Sequence, residues 1–234
     1  MKALLYKEFK LAMHPLCYLF IALFPFMILI PNYPTAIGFI YVLTCYPVLF
    51  LGANKGQQSN DLLFSTLLPV RKKDIVLARI FTVAFMQLAF ILIAGALCPL
   101  GIYFQEMIKT GASPEETTKA VEDVGLSLHG FISIVGIVLV GFSIADLIYF
   151  SVYYKHGKSI VMSTLLTIIG FIVYLGIFTI GIPFIPGCEG YKTFLCDSGI
   201  GYQFIVLGGG LLLYVLLHFL TYKVASKELE QVDF

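Results

Sequence analysis

Few side chains in this sequence can do chemistry, and those that can are widely separated. Asp146 is the one acid inside a long apolar run, where an ionisable group is costly unless it faces protein or water. It is suited to neutralise a basic residue such as Arg79, to line a pathway or to help gate one, and the structural ion pair is the simplest of these roles. Gln87, in the preceding long apolar run, is a weaker pathway or gating candidate of the same kind. The four histidines, at 14, 129, 156 and 218, are dispersed. Only His218 falls well within an apolar run, where hydrogen bonding to a neighbouring helix is a commoner role than catalysis. No H-E-x-x-H, paired-Glu or G-x-S-x-G pattern occurs. Gly157-Lys158-Ser159 ends like a phosphate-binding loop, but Val152 stands where its leading glycine belongs, so this chain is expected to bind no nucleotide and no cofactor of its own.

Five cysteines complete the reactive inventory. Cys17, Cys45 and Cys98 sit in apolar runs and read as small hydrophobes. Cys188 and Cys196 flank a short polar loop whose length makes a bridge easy, and an exported loop would meet oxidising conditions, so a disulfide is expected. As a metal site the pair would leave a tetrahedral centre half filled.

The elements that must position these residues are set by the solvent. The chain has 234 residues, 59% hydrophobic and 12% charged, with mean hydropathy +0.93. Soluble domains carry about 25% charged residues, so lipid is the expected solvent and the fold class is all-α, a polytopic bundle. A span takes about 20 apolar residues, and six segments approach or exceed that: 12–31, 34–53, 75–104, 128–150, 160–182 and 202–222. The third is longer than a span needs, so it should tilt, kink near Pro99 or project from the membrane. Lys7, Glu8 and Lys10 interrupt the opening and no small-residue cleavage site follows Ile30, so the N-terminal stretch reads as retained.

Charge placement orients the bundle. With the N-terminus inside, Lys2, Lys7, Lys10, Lys55, Arg71, Lys72, Lys73, Arg79, Lys155, Lys158, Lys223 and Lys227 are cytoplasmic. Lys109, Lys119 and Lys192 are external. That asymmetry predicts six spans with both termini cytoplasmic in a cell membrane. Seven acids fall outside, read as ordinary solvation of loops. A net charge of +1 gives no overall bias, and no nucleic-acid partner is expected.

Four connecting segments carry the remaining information within this single transmembrane domain of residues 1–234. Over 1–14, Leu5, Phe9, Ala12 and Leu16 recur at helical spacing, with Lys7, Lys10 and His14 opposite. This predicts an amphipathic helix lying at the inner membrane surface. The cytoplasmic loop 54–74 begins polar, then Asp61 to Leu68 can form a short helix, capped by Ser59 or Asn60 and stopped by Pro69. Its Leu and Phe side chains need burial against the bundle or a partner. In the external segment 105–127, Ser113-Pro114-Glu115-Glu116 has capping-box spacing and predicts a short outer helix. The second external segment, 183–201, holds the two loop cysteines.

The stretch Asn60-Asp-Leu-Leu-Phe-Ser-Thr-Leu-Leu-Pro-Val-Arg-Lys-Lys-Asp-Ile-Val-Leu-Ala-Arg79, with the opening Met1 to Pro15, resembles the ABC-2 type permeases of ATP-binding-cassette transporters. The resemblance implies a non-catalytic membrane subunit that pairs with a separate ATPase holding ATP and Mg. It implies that residues 60–68 are the coupling helix, with Asp61, Leu62, Leu63, Phe64, Leu67, Leu68 and the following Arg71 facing the ATPase. It also implies a second permease copy, identical or paralogous. Short length and compact external loops are similar to Gram-positive exporters of amphipathic peptides, such as the phenol-soluble modulin exporters. The rival readings are a membrane-embedded enzyme, which would need a clustered polar site; a scaffold or immunity protein without an ATPase; and a secondary transporter, which would want more polar groups at the midplane.

Overall fold

A computed structural model describes residues 2–12, 15–29, 70–111, 130–155, 160–186, 188, 190–191 and 199–231. Among these, all regular structure is helical. Helix α1 (Lys2–Lys7) runs into a π-helical turn (Glu8–Ala12), and α2 (Pro15–Leu23) into a 3-10 turn (Phe24–Leu29). Then come α3 (Lys72–Gly111), α4 (Phe131–Lys155), α5 (Ile160–Gly176) and α6 (Ile200–Gln231). Helix α5 is extended by a π turn and a 3-10 turn through Phe184.

Helices α3, α4 and α6 are each long and apolar enough to cross a membrane, and Val161–Gly176 of α5 is a shorter apolar helix. The second expected span, 34–53, lies outside the described residues, as do the coupling segment 60–68 and the predicted outer helix after Ser113. Helix α3 has 40 residues and passes through Pro99 without ending. At 1.5 Å per residue it is about 60 Å long, about twice the hydrocarbon thickness, so it projects beyond the bilayer.

The outer surface confirms the solvent. Val161, Ile169, Ile172 and Val173 on α5 and Leu212, Val215, Leu216 and Phe219 on α6 are exposed. A continuous apolar face of this size has no place on a water-soluble monomer. Inside, helices must satisfy their own polar groups. Thr82, Ser143, Thr167 and Thr221 do so by donating to the carbonyl one turn back, at Ala78, Leu139, Ser163 and Leu217.

The core is centred on α4, the most buried helix, with Phe142, Ala145, Tyr149 and Phe150 fully enclosed. Close approach of α4 and α6 depends on glycine. A Cβ added at Gly210 would lie 2.4 Å from the Gly136 carbonyl oxygen, and one at Gly136 would lie 2.8 Å from the Val206 carbonyl oxygen. The two backbones touch where neither residue has a side chain. Gly141 similarly admits the rings of Phe171 and Tyr174 from α5, whose Tyr174 hydroxyl donates to the Ile137 carbonyl at 2.8 Å.

The N-terminal helix departs from the expected surface pattern. Leu4 packs with Ile75 and Ala78 of α3. Lys7 and Glu8 are buried, whereas Tyr6 and Lys10 are exposed. Lys7 was expected on the solvated basic face; instead its ammonium stands 3.6 Å from Glu8. The cause is twofold: the buried acid Glu8 just after α1 draws this side of the helix toward α3, and the π turn that starts there changes the pitch on which the regular wheel depends.

Candidate functional site

Two buried polar clusters lie along the seam between α3 and α4. The larger joins three helices. Tyr214 and His218 are four residues apart on α6 and therefore share one face; their rings lie 4.1 Å apart between centroids. Tyr214 donates its hydroxyl to Gln87 Oε1 of α3 at 2.8 Å, and Gln87 Nε2 donates to Asp146 Oδ2 of α4 at 2.9 Å. His218 Nε2 stands 3.0 Å from the same Oδ2. Polar contacts thus run from α6 through α3 and α4 and back to α6.

Each partner fixes the next. Asp146 carries only acceptors when ionised, so the Gln87 amide nitrogen must point at it and the amide oxygen must point at Tyr214. The amide orientation is thereby assigned from the network. On the far side of the imidazole, Nδ1 lies 2.9 Å from the Tyr214 carbonyl oxygen. Gln87 and Asp146 have no exposed surface, and the His218 side chain retains 11%. The second carboxylate oxygen, Asp146 Oδ1, is buried and has no hydrogen-bond partner among the described residues.

The smaller cluster pins α1 to α3. Arg79 Nε meets Glu8 Oε2 at 3.2 Å, and both side chains are almost wholly enclosed. Tyr149 and Tyr154 of α4 lie close enough to feel the Arg79 charge. The guanidinium therefore sits where α1, α3 and α4 converge, about two turns from Gln87 along α3. Phe9 and Phe85 close the apolar side of this corner edge to face, with centroids 5.5 Å apart. The Tyr18 hydroxyl of α2 donates to the Phe9 carbonyl.

The site residues expected from sequence divide clearly. Gln87 and Asp146 are brought together, and His218 joins them. Arg79 was one example of a basic partner for Asp146; the structure pairs Arg79 with Glu8 and Asp146 with His218. Both Gln87 and Asp146 lie beneath the surface of the single chain rather than on a face that cargo would brush. Tyr214 was missed, although its position one turn before His218 is the signal that pairs them. Glu8 was missed because Lys7 and Lys10 around it suggest a solvated stretch. Asp61, Leu62, Leu63, Phe64, Leu67 and Leu68 lie outside the described residues. Arg71 is described and exposed at the entry to α3, where its carbonyl accepts from the Asp74 amide at 2.9 Å. Cys188 is half-buried, and Cys196 lies outside the described residues. No cluster of three or more metal-ligating side chains occurs among the described residues.

An apolar bundle with polar groups buried along its seams, and with three helices long and apolar enough to cross a membrane, has the architecture of a membrane domain. Comparison with known proteins agrees. Neither the curated proteins nor the solved structures contain a match to this chain. A family model described as "ABC-2 family transporter protein" matches residues 3–226 of the 234, and with that coverage the chain belongs to the ABC-2 family of transporter membrane proteins.

Proposed function

We propose that this ABC-2 membrane component is the permease of an ATP-driven exporter and that residues 60–68 are the helix through which a separate ATPase subunit drives it. The observation that carries the reading is the family match over residues 3–226; membership implies an ATPase partner. The apolar Leu62, Leu63, Phe64, Leu67 and Leu68 between a polar loop and Pro69 need a hydrophobic groove, which an ATPase surface supplies. Closure of the ATPase would then push on the segment that leads directly into α3. The first rigid parts it meets are Arg79, locked to Glu8, and, two turns on, Gln87, locked to Asp146.

Six spans with both termini cytoplasmic, an interfacial N-terminal helix and a second permease copy complete the arrangement. The cargo in this reading is an amphipathic peptide or similarly hydrophobic compound, because the surfaces available to it are aliphatic and aromatic: 21 Phe and 14 Tyr in the chain. Gln87 and Asp146 act in gating, as internal fasteners whose rearrangement accompanies opening.

The test is a mild-detergent pulldown of the chain from native membranes, with mass spectrometry and an ATP hydrolysis assay on the eluate. A co-purifying P-loop ATPase with vanadate-sensitive turnover is expected. Phe64→Asp and Leu67→Asp should each abolish that association while leaving membrane insertion intact. Normal association in both variants removes the coupling-helix assignment. An eluate without any ATPase, repeated in lipid nanodiscs, favours a scaffold or immunity role.

A further inference from the structure

The hydrogen-bond geometry around His218 determines where a proton must be. The Tyr214 carbonyl oxygen only accepts, so the 2.9 Å contact with Nδ1 requires Nδ1 to carry its hydrogen. The opposite nitrogen, Nε2, faces a carboxylate oxygen at 3.0 Å. With Nδ1 already protonated, a neutral imidazole would present a lone pair to a second lone pair there. Nε2 makes no aligned hydrogen bond among the described residues, so the 3.0 Å contact is electrostatic, and one further proton on the pair removes the repulsion between lone pair and carboxylate. Gln87 cannot relieve the contact, since its amide nitrogen already donates to Oδ2 and its oxygen is held by Tyr214.

We propose that Asp146 and His218 form a single-proton binding site inside the helix bundle, whose proton fastens α6 to α3 and α4 and whose departure loosens that junction. With the proton bound the pair carries no net charge. Without it, a carboxylate and a neutral imidazole remain, with net charge −1, in an apolar enclosure where unpaired charge is strongly disfavoured. The proton leaves as the conjugate acid of a water molecule reaching the imidazole, the only member of the pair with exposed surface, at 11% against 0% for Asp146. The buried and unpartnered Asp146 Oδ1 is a second indication. A permanently ionised carboxylate would need donors on both oxygens, whereas one that shares a proton leaves its second oxygen more weakly charged.

Among the described residues of α3, α4 and α6, the other groups around the pair do not supply an alternative proton or countercharge. From α6 the titratable neighbour is Tyr214, committed to Gln87. From α3 the facing group is the uncharged Gln87, and the nearest cation of that helix, Arg79, is bound to Glu8. On α4 itself, Tyr149 and Tyr154 lie toward Arg79. The pair is nine residues from Lys155 at the end of α4, about 14 Å along the helix, so water has a short route from that end of the bundle. The proposal concerns the chain alone and does not rest on the exporter reading.

Asp146→Asn is the informative variant. Asparagine is isosteric and uncharged; because both contacts fall on the one oxygen Oδ2, its amide keeps one of them, acceptance from Gln87 or donation to His218, and it holds no shared proton. Thermal unfolding of the purified chain in detergent, followed with a thiol-reactive dye, is compared for the two proteins between about pH 6 and about pH 9. The native chain should lose about 3 °C or more of melting temperature across that range relative to the Asn variant, which lacks the titrating proton. Parallel profiles overturn the proposal. Should the Asn variant fail to fold, ¹⁵N-histidine NMR decides, using a chain in which His14, His129 and His156 are replaced by Gln. The His218 Nε2 resonance should move from protonated to unprotonated as pH rises. A resonance that stays unchanged over that range overturns it.

Discussion

The two buried polar clusters use similar residues to opposite ends. At the α1 corner, Glu8 meets Arg79, a fixed cation, and Lys7 stands close by as a second one. At the centre, Asp146 meets His218, whose charge depends on one proton, and Gln87, which has none to give. The corner has two cations for one acid; the centre is balanced on a single hydrogen. A permanent pair is suited to holding an element in place, and a titratable one to a junction that opens and closes. The same contrast holds for position: the corner anchors a short terminal helix, whereas the centre ties together the three longest helices.

The sharpest way to break this comparison is to remove one partner from each cluster. His218→Ala leaves the Asp146 carboxylate buried with only the Gln87 amide, and should cost about 3–5 kcal/mol, the usual penalty for orphaning one member of a buried pair. Arg79→Ala should cost about half as much, because Lys7 remains near Glu8 and water can enter at the edge of α1. Melting temperatures in detergent measure both. Equal losses would mean that the two clusters are energetically alike and that the distinction drawn from their charge is wrong.

Ten residues before Asp146 on α4 and eight before His218 on α6 lies the glycine contact between these helices, which sets how near His218 can come to Asp146. Gly210→Ala places a methyl group against the Gly136 backbone, and neither backbone has a flexible side chain to yield. About 1–3 kcal/mol of stability should be lost, as for other overpacked sites. Gly208→Ala, two residues away, meets nothing within 4 Å and should be neutral or slightly stabilising, since alanine favours the helix. The pair of variants separates close packing from a need for flexibility in this Gly-Gly-Gly run. Equal destabilisation by both would favour bending.

How much of this was legible beforehand depends on the range over which each property is decided. Apolar run lengths and the basic-residue asymmetry are local sums, so the membrane class and the helices α3, α4 and α6 could be read directly. Asp146, Gln87 and His218 stood out singly, because a polar group in an apolar run is conspicuous. Their union was not legible, since it joins positions about 60 to 130 residues apart and depends on which faces of three helices meet. Glu8 shows the opposite failure: among lysines near a terminus it resembles any surface acid, and only the pairing with Arg79 reveals it as buried. The misassigned Lys7 follows from the same contact together with the π turn, which a regular helical wheel does not contain.

Within the central cluster, Tyr214→Phe tests how far the network extends. It removes the hydroxyl that donates to Gln87 Oε1 at 2.8 Å and lies 3.3 Å from the Ala84 carbonyl, while leaving the ring on His218 and the carbonyl that holds Nδ1. The expected loss is about 1 kcal/mol. The alkaline fall in melting temperature should persist, because the proton between Asp146 and His218 is untouched. Abolition of that pH response by Tyr214→Phe would place the titrating proton on the phenol side of the network instead.

The smallest effect is expected at the far end of α6, where Lys73 and Glu230 form an ion pair at 3.2 Å with both side chains about half exposed. Solvent screens such pairs and side-chain entropy opposes them, so Lys73→Ala should change stability by no more than about 0.5 kcal/mol. Its interest lies in its location, one residue into α3 and directly after the proposed coupling segment. If ATP hydrolysis by the assembled transporter falls in Lys73→Ala while the melting temperature does not, the contact between α3 and the end of α6 transmits force without storing stability. If neither changes, transmission runs through the buried Glu8–Arg79 corner, and the exposed pair is a bystander of helices already held together by Ala225 and Leu229.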